Sequence, residues 1–176
     1  MVDLRSLSAA DMLAGLTDAD LQKLGAIAEE RQTAPGEQLL KRGDTAESLY
    51  LIRDGRFALT IAIVAAGHQT EVPIEEKGRG DMLGWSALVE PRTSIYTAVC
   101  TLPGSVIVIP RDAFLVLAAS DAGLGYRFMI NLCRLIKSRA STLQALWIEE
   151  VEQSMSRVKY WLNRGPRSDS AAGRNG

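Results

Sequence analysis

Residues 49–60 decide the fold class, and they read Leu49-Tyr50-Leu51-Ile52-Arg53-Asp54-Gly55-Arg56-Phe57-Ala58-Leu59-Thr60. Two short apolar runs flank an Asp-Gly pair, which tight hairpin turns favour because glycine adopts positive φ angles at no steric cost. The apolar, β-branched and aromatic residues of both runs are typical of strands. The stretch therefore predicts an antiparallel hairpin that turns at Asp54-Gly55.

Similar short runs continue on both sides of this predicted hairpin. Turns that contain glycine or proline separate them, and no helical pattern lies between successive runs. Such spacing predicts an antiparallel sandwich or barrel and argues against a parallel α/β sheet. The predicted strands lie at 38–41, 48–52, 57–64, 72–74, 94–100 and 106–109.

Helical periodicity borders the predicted strands. Apolar residues recur at helical spacing between Ala9 and Arg31, with Thr17 as the expected N-cap, and again after Pro110. We therefore predict a fold that is mainly β with flanking helices (α+β): an antiparallel β-roll or jelly-roll barrel followed by a long C-terminal helix. The predicted segments are N-terminal helices at 1–34, the β-roll at 35–110, C-terminal helices at 111–163 and a disordered tail at 164–176.

The last helical segment carries an apolar stripe along one face. A helix of 25 residues is about 38 Å long, which exceeds the side of a small barrel. A second copy of the chain is the simplest cover for the excess length, so we predict a homodimer that pairs through Ser138 to Leu162 as a coiled coil. The alternative is that the stripe packs on the chain's own barrel. The stripe consists of Ile136, Ala140, Leu143, Trp147, Val151, Met155, Val158 and Leu162.

Composition narrows the class of partner. The chain has 176 residues, with 20 Lys and Arg against 21 Asp and Glu, and 47% of its residues are hydrophobic. Because nucleic-acid binding requires a concentrated basic surface, we expect no nucleic-acid partner. No run approaches the roughly 18 apolar residues of a membrane span, and the N-terminus lacks the order of a secretory signal. We therefore expect one domain with no membrane partner and a cytoplasmic location.

Reactive side chains give catalysis no support. His68 is the sole histidine, and it falls in a polar stretch that predicts a solvated loop. Neither a Ser-His-Asp set nor a zinc site can be assembled, so we predict no catalytic residue, no metal and no enzyme activity. Cys100 and Cys133 stand in apolar runs, and we interpret both as small buried hydrophobes.

Several motifs occur in a recognisable order. The sequence resembles the cyclic nucleotide-binding domain of the catabolite activator protein superfamily over roughly residues 12–161. That resemblance implies a phosphate-binding cassette at 80–98, in a β-roll that ligand binding regulates. The motifs are Gly15 to Leu21, Pro35-Gly36-Glu37, Gly43-Asp44, Leu49 to Arg56 and Gly80-Asp81-Met82-Leu83-Gly84.

The resemblance implies a set of ligand-binding residues within that cassette. In the family a glutamate after the glycine bonds the ribose 2′-hydroxyl and an arginine pairs with the phosphate. Here Trp85 stands in the place of the glutamate, and an indole cannot accept a hydrogen bond from a hydroxyl. Arg92 matches the arginine by its Pro-Arg-Thr-Ser motif, whereas a loop two residues shorter than usual would make it a solvated arginine. The candidate ligand-binding residues are Gly84, Trp85, Ser86, Ala87, Arg92, Thr93 and Ser94.

Two functions remain open. Gly84-Trp85-Ser86 resembles a bacterial subgroup of these domains, for which the resemblance implies the fold without a known ligand. In the first hypothesis the chain is a stand-alone regulatory module that takes a cyclic nucleotide or a related small anion. It then signals through its long helix, its dimer surface or a separate protein effector. In the second it is a structural or interaction subunit in which Trp85 replaces the ligand.

Overall fold

This computed structural model describes residues 2–5, 8, 10–65 and 67–163. Two compact units divide the chain within its last helix, Met1–Leu135 and Ile136–Gly176. The predicted tail at 164–176 lies outside the described residues. The helices are α1 (Asp18–Ile27), α2 (Arg111–Ser120) and α3 (Ala122–Asn163), and the strands are β1 (Glu29–Thr33), β2 (Gln38–Leu40), β3 (Ser48–Ala65), β4 (His68–Lys77), β5 (Met82–Leu83) and β6 (Thr97–Pro110).

The strands form one antiparallel sheet in the order β1-β6-β3-β4. Two short strands add to it, since β2 pairs with β6 and β5 pairs with β3. The predicted fold class, mainly β with flanking helices, is confirmed. Closure into a barrel is wrong, because β1 and β4 are the ends of this path and do not pair among the described residues.

The hairpin predicted at Asp54-Gly55 is also wrong. β3 runs without a turn from Ser48 to Ala65, and its register against β6 shifts around residues 52–57. A Cβ on Gly104 would lie 2.2 Å from the carbonyl oxygen of Asp54, and one on Gly55 2.6 Å from that of Leu102. The two glycines therefore permit a bulge where the backbones touch, and Gly55 adopts its φ of +90° inside a strand.

Two boundaries differ from the prediction. β1 occupies Glu29–Thr33, inside the segment predicted as N-terminal helices, because its pairing with β6 outweighs a helical pattern that is polar over these residues. His68 is exposed as predicted, but it is the first residue of β4 and not a loop residue.

The core lies between β3, β5 and β6. Its largest fully buried side chains include Phe57, Leu59 and Leu83. Cys100 is buried among them, as predicted, whereas Cys133 on α3 is exposed, so its interpretation as a buried hydrophobe is wrong.

Helix α1 starts at the N-cap predicted from the sequence. The Thr17 side chain accepts a hydrogen bond from the Asp20 amide, and the Asp20 carboxylate accepts one from the Thr17 amide. The same carboxylate is buried and accepts two hydrogen bonds from the guanidinium of Arg127 on α3, at 2.8 and 3.0 Å. Within the first unit, this pair ties the start of α1 to the first turns of α3.

Candidate functional site

The candidate site is the segment 84–94, which joins β5 to the approach of β6. It begins at Gly84, whose φ is +76°. A Cβ there would lie 2.4 Å from the carbonyl oxygen of Ser48 and 3.2 Å from the ring of Tyr50, so the segment starts pressed against β3. Burial raises the pKa of the Tyr50 hydroxyl, which agrees with this close packing. Glycine is therefore required at position 84 on two counts, its backbone angle and the contact.

Successive hydrogen-bonded turns then fold the segment. The amide of Ala87 donates to Gly84 at 2.9 Å, that of Val89 to Ser86 at 3.2 Å, and that of Arg92 to Val89 at 2.9 Å. The first of these turns is a 3-10 helix at Trp85–Leu88. Ser86 and Ala87, both predicted ligand-binding residues, are buried in it. They therefore shape the segment from its inner side.

Trp85 is half-buried, and its indole nitrogen Nε1 is fully buried. Among the described residues this nitrogen has no hydrogen-bond acceptor. A buried donor without an acceptor costs about 1–3 kcal/mol, and native proteins seldom retain one. The indole therefore brings a buried donor into this segment that the described residues leave unpaired.

Arg92 adopts a left-handed backbone conformation with φ +63°. Hydrogen bonds on both sides hold it there, from its own amide to Val89 and from the Ala46 amide to its carbonyl oxygen at 2.7 Å. Its half-exposed guanidinium pairs with the exposed carboxylate of Glu90 at 2.9 Å. The sequence gives no sign of this pairing beyond the presence of an acid two residues away.

Thr93 and Ser94 fix the end of the segment to neighbouring residues on both sides, at 44–45 and at 96. Thr93 forms an isolated antiparallel bridge with Thr45. Ser94 is buried, and its hydroxyl donates to the carbonyl oxygen of Tyr96 at 2.7 Å. Its amide donates to Asp44 at 2.9 Å. The Ser94 hydroxyl is thus engaged within the chain and serves the geometry of the segment.

Charged side chains at the start of α2 interact with this segment, and no motif in the sequence indicates this. Arg111 pairs with Asp112 at 2.9 Å, and this hydrogen bond raises the pKa of the arginine and lowers that of the acid. Glu47 and Glu90 also raise the pKa of Arg111, and Arg92 lowers that of Asp112. Two arginines and three acids therefore share one neighbourhood, although the sequence scatters them over 66 positions.

A backbone connection runs from the segment to α2. Residues 45–47 contact Thr93 and Arg92 as described, and the carbonyl oxygen of Glu47 accepts from the amide of Arg111 at 2.9 Å. Arg111 is the first residue of α2. The ring of Phe114 on α2 then contacts that of Phe128 on α3, with centroids 4.4 Å apart and the ring planes tilted by 48°. The connection passes entirely through the first unit.

Exposed apolar side chains mark the predicted dimer stripe on α3. Trp147 is 68% exposed and Met155 is 56% exposed. Ile136 and Val151 are half-buried, and Ala140 is exposed. The side chains of Leu143, Val158 and Leu162 lie outside the described part of the chain.

Within the first unit, the start of α3 has a buried and an exposed side of its own. Leu124, Phe128 and Leu132 are buried, whereas Tyr126 (69% exposed) and Cys133 lie on the opposite side of the helix. Met129 is also on that side and is exposed. Exposed apolar residues at helical spacing are typical of an interaction surface.

The described residues contain neither a candidate metal cluster nor a candidate membrane-spanning helix. No group of three or more His, Cys, Asp or Glu side chains in this part of the chain could hold a metal ion. None of its helices combines the length and the hydropathy that crossing a bilayer requires.

Comparisons with known proteins agree with this geometry. A family model for the cyclic nucleotide-binding domain matches residues 30–121. Among solved structures, a cyclic nucleotide-binding domain from Methylobacillus flagellatus KT is 23% identical with a TM-score of 0.69, over 79% of this chain and 76% of that one. The Thermus thermophilus catabolite activator protein is 19% identical with a TM-score of 0.66, over 80% of this chain and 64% of that one.

A third structure contains a ligand. The regulatory domain of Toxoplasma gondii PKA, crystallised with cAMP, is 22% identical with a TM-score of 0.55, over 65% of this chain and 42% of that one. No curated protein sequence gives a match. At these identities the structural similarity establishes the fold, and the Gly-Trp-Ser subgroup stays a prediction.

Proposed function

The chain belongs to the cyclic nucleotide-binding domain family, and on that premise we propose that it is a regulatory module whose segment 84–94 binds a cyclic nucleotide. In this proposal the chain pairs with a second copy through α3, and ligand binding changes the packing of that helix. Structures similar to it include a catabolite activator protein and the regulatory domain of a kinase that was solved with cAMP.

The observation that carries the ligand proposal is the state of Arg92. Its backbone is fixed by hydrogen bonds to Val89 and Ala46, so the side chain projects from a defined point. Its carboxylate partner, Glu90, is itself exposed, and an exposed ion pair contributes only about 0–1 kcal/mol. A phosphate can displace such a partner, since a guanidinium matches two phosphate oxygens in one plane.

The fit of a cyclic nucleotide to the segment is uneven. Arg92 suits the phosphate, whereas Trp85 cannot take the part of an acceptor for a sugar hydroxyl because an indole only donates. We therefore assign the anion to Arg92.

Transmission would follow the backbone connection from the segment to α2. A ligand that shifts Arg92 pulls on Ala46, and Glu47 in turn holds the first amide of α2. The contact between the tilted rings of Phe114 and Phe128 joins α2 to α3. Such a shift occurs only if the ligand binds one arrangement of the helices better than the other.

The dimer proposal is supported by the exposed stripe on α3. Burying Trp147 and Met155 against a second copy removes apolar area from water. A two-fold axis along the helix would bring the same stripe of each copy together. Enzyme activity has no place in this proposal, because no reactive set of side chains converges on the segment among the described residues.

A second function is favoured by one observation. Glu90 already neutralises Arg92, and Trp85 stands where the family has an acceptor, so the segment could be complete without a ligand. The chain would then be a structural or interaction subunit that uses α3 alone.

Calorimetric titration separates the two functions. We expect heat of binding with cAMP or cGMP for the wild type, and a loss of affinity of about tenfold or more for Arg92→Gln. Arg56→Gln is the matched control, since Arg56 is an exposed arginine paired with Glu76 away from the segment. Absence of heat with both nucleotides supports the subunit function.

A further inference from the structure

We propose that Trp85 sets the class of ligand that the segment 84–94 accepts, because its indole N–H donates a hydrogen bond to an oxygen acceptor of the bound nucleotide. The inference rests on the proposed function, since it concerns the same site. It adds a polar contact that neither the family model nor the similar structures assign to this position.

The unmatched donor is the starting observation. Nε1 of Trp85 is buried and meets no acceptor among the described residues. An indole N–H can donate but cannot accept, so whatever completes it must offer a lone pair. Buried donors in native proteins are almost always bonded to protein, to ordered water or to a ligand. No described residue supplies that acceptor, and because Nε1 has almost no surface open to solvent, a ligand reaches it only when the segment shifts.

The position of Trp85 favours a ligand as the source of that acceptor. It follows the left-handed Gly84 directly, at the start of the turns that lead to Arg92. The guanidinium of Arg92 is also a donor without any acceptor function. A segment that presents two donors, one buried and one with an exchangeable partner, selects a ligand rich in acceptor oxygens.

This donor pattern has a consequence for specificity. A cyclic nucleotide carries acceptor oxygens on its phosphate and its sugar, and either kind can accept from an indole. A ligand that presents an amino group to Trp85 leaves two donors facing each other, which polar sites reject, whereas a hydroxyl can turn a lone pair toward the indole. Trp85 therefore reverses the polarity of the contact that a glutamate would make at the same position.

The test follows the indole N–H itself. Uniform labelling of tryptophan with ¹⁵N gives three indole signals, and Trp147→Phe and Trp161→Phe identify that of Trp85 by elimination. Addition of cAMP is expected to move the Trp85 indole proton downfield and to slow its exchange with water. The same titration of Arg92→Gln is the control, and its Trp85 signal should respond only at about tenfold higher cAMP.

A matched pair of variants measures the same contact by affinity. Trp85→Phe keeps an aromatic ring and removes the N–H, so we expect cAMP affinity to fall about tenfold. Arg56→Gln, which lies away from both the segment and α3, should bind as the wild type does. If Trp85→Phe does not fold, the indole signal of the wild type decides by itself.

Three results contradict the inference. If cAMP binds while the Trp85 signal and the Trp85→Phe affinity stay unchanged, the inference is wrong and the proposed function stands. If Trp85 exchanges with water equally fast with and without bound cAMP, its acceptor is water only, with the same consequence. If the wild type does not bind cAMP, the proposed function fails and the inference fails with it.

Discussion

The guanidinium of Arg92 lies 2.9 Å from the carboxylate of Glu90, so an acid of the same loop occupies the cation that an anionic ligand needs. Glu90 is exposed and the pair is reachable by solvent, so the contact is weak enough to exchange. It nevertheless competes with any phosphate for the same donors. The affinity of the segment for an anion thus depends on both Arg92 and Glu90, which are two positions apart in the sequence.

Removing this competitor should strengthen binding. In Glu90→Gln the side chain keeps its size but loses its charge, so we expect cAMP affinity to rise about two- to fivefold, the range that an exposed pair allows. Calorimetric titration at low salt measures the change. Glu76→Gln, which removes the exposed partner of Arg56 on β4, is the control and should leave affinity unchanged. Equal affinities in wild type and Glu90→Gln would show that Glu90 does not compete.

The contact between Gly104 and the backbone of Asp54 predicts a selective effect on stability. Gly104→Ala would set a Cβ 2.2 Å from a carbonyl oxygen, and neither backbone can yield easily within a sheet. We expect a loss of about 1–3 kcal/mol in the free energy of unfolding, measured by urea denaturation. In Gly78→Ala the nearest atom would be 4.0 Å away, so that variant should stay close to the wild type. A fully stable Gly104→Ala would refute the close packing of the bulge.

The same contact explains what the sequence could predict of the fold. The strands around residues 49–60 and the capping box at Thr17 follow from local patterns, and both are present. The Asp54-Gly55 pair gave a wrong turn because its meaning depends on Gly104, which is 49 positions further along the chain. A local pattern carries no information about a contact that far along the chain. A bulge accommodates the positive φ of Gly55 as well as a hairpin turn would.

The buried carboxylate of Asp20 predicts a pH dependence. Burial raises the pKa of Asp20, but hydrogen bonds from Arg127 and from Thr17 outweigh it, so its pKa lies below the ordinary 3.8. A carboxyl with a lowered pKa adds stability above its ordinary value, and this stability is lost as the pH falls through the folded-state pKa.

We therefore expect Asp20→Asn to lose about 1–3 kcal/mol near neutral pH, with a difference from the wild type that shrinks below about pH 4. Urea denaturation from pH 3 to pH 7 measures it. Asp18→Asn changes an exposed acid of the same helical turn and should lose less. A difference that is constant over this pH range would mean that Asp20 does not stabilise the protein through its charge.

The dimer proposal predicts an effect of charge on the α3 stripe. Trp147→Glu places a carboxylate on the exposed apolar face, and two copies would then repel each other. Analytical sedimentation should show a dimer for the wild type and a monomer for this variant. Gln153→Glu, which adds the same charge on the side of α3 away from the stripe, should remain dimeric. A wild type that sediments as a monomer would exclude pairing through this helix.

Sequence motifs around Gly84 and Arg92 select the candidate site, and its role as a ligand site stays a prediction. The positive φ at both positions shows that the backbone makes an unusual turn there. The Glu90 pair and the burial of the Trp85 nitrogen arise from side-chain directions that residue types do not encode. The connection through residues 45–47 depends on tertiary pairing, which gave no signal in the sequence.

The central claim, that a cyclic nucleotide binds at 84–94 and is sensed at α2, is tested most directly by the backbone amide signals of the ¹⁵N-labelled protein during titration with cAMP. We predict saturable shifts at Trp85 and Arg92, at Ala46 and at Arg111, all of which disappear in Arg92→Gln. Shifts confined to other parts of the chain, or no shifts at millimolar cAMP, would contradict the account.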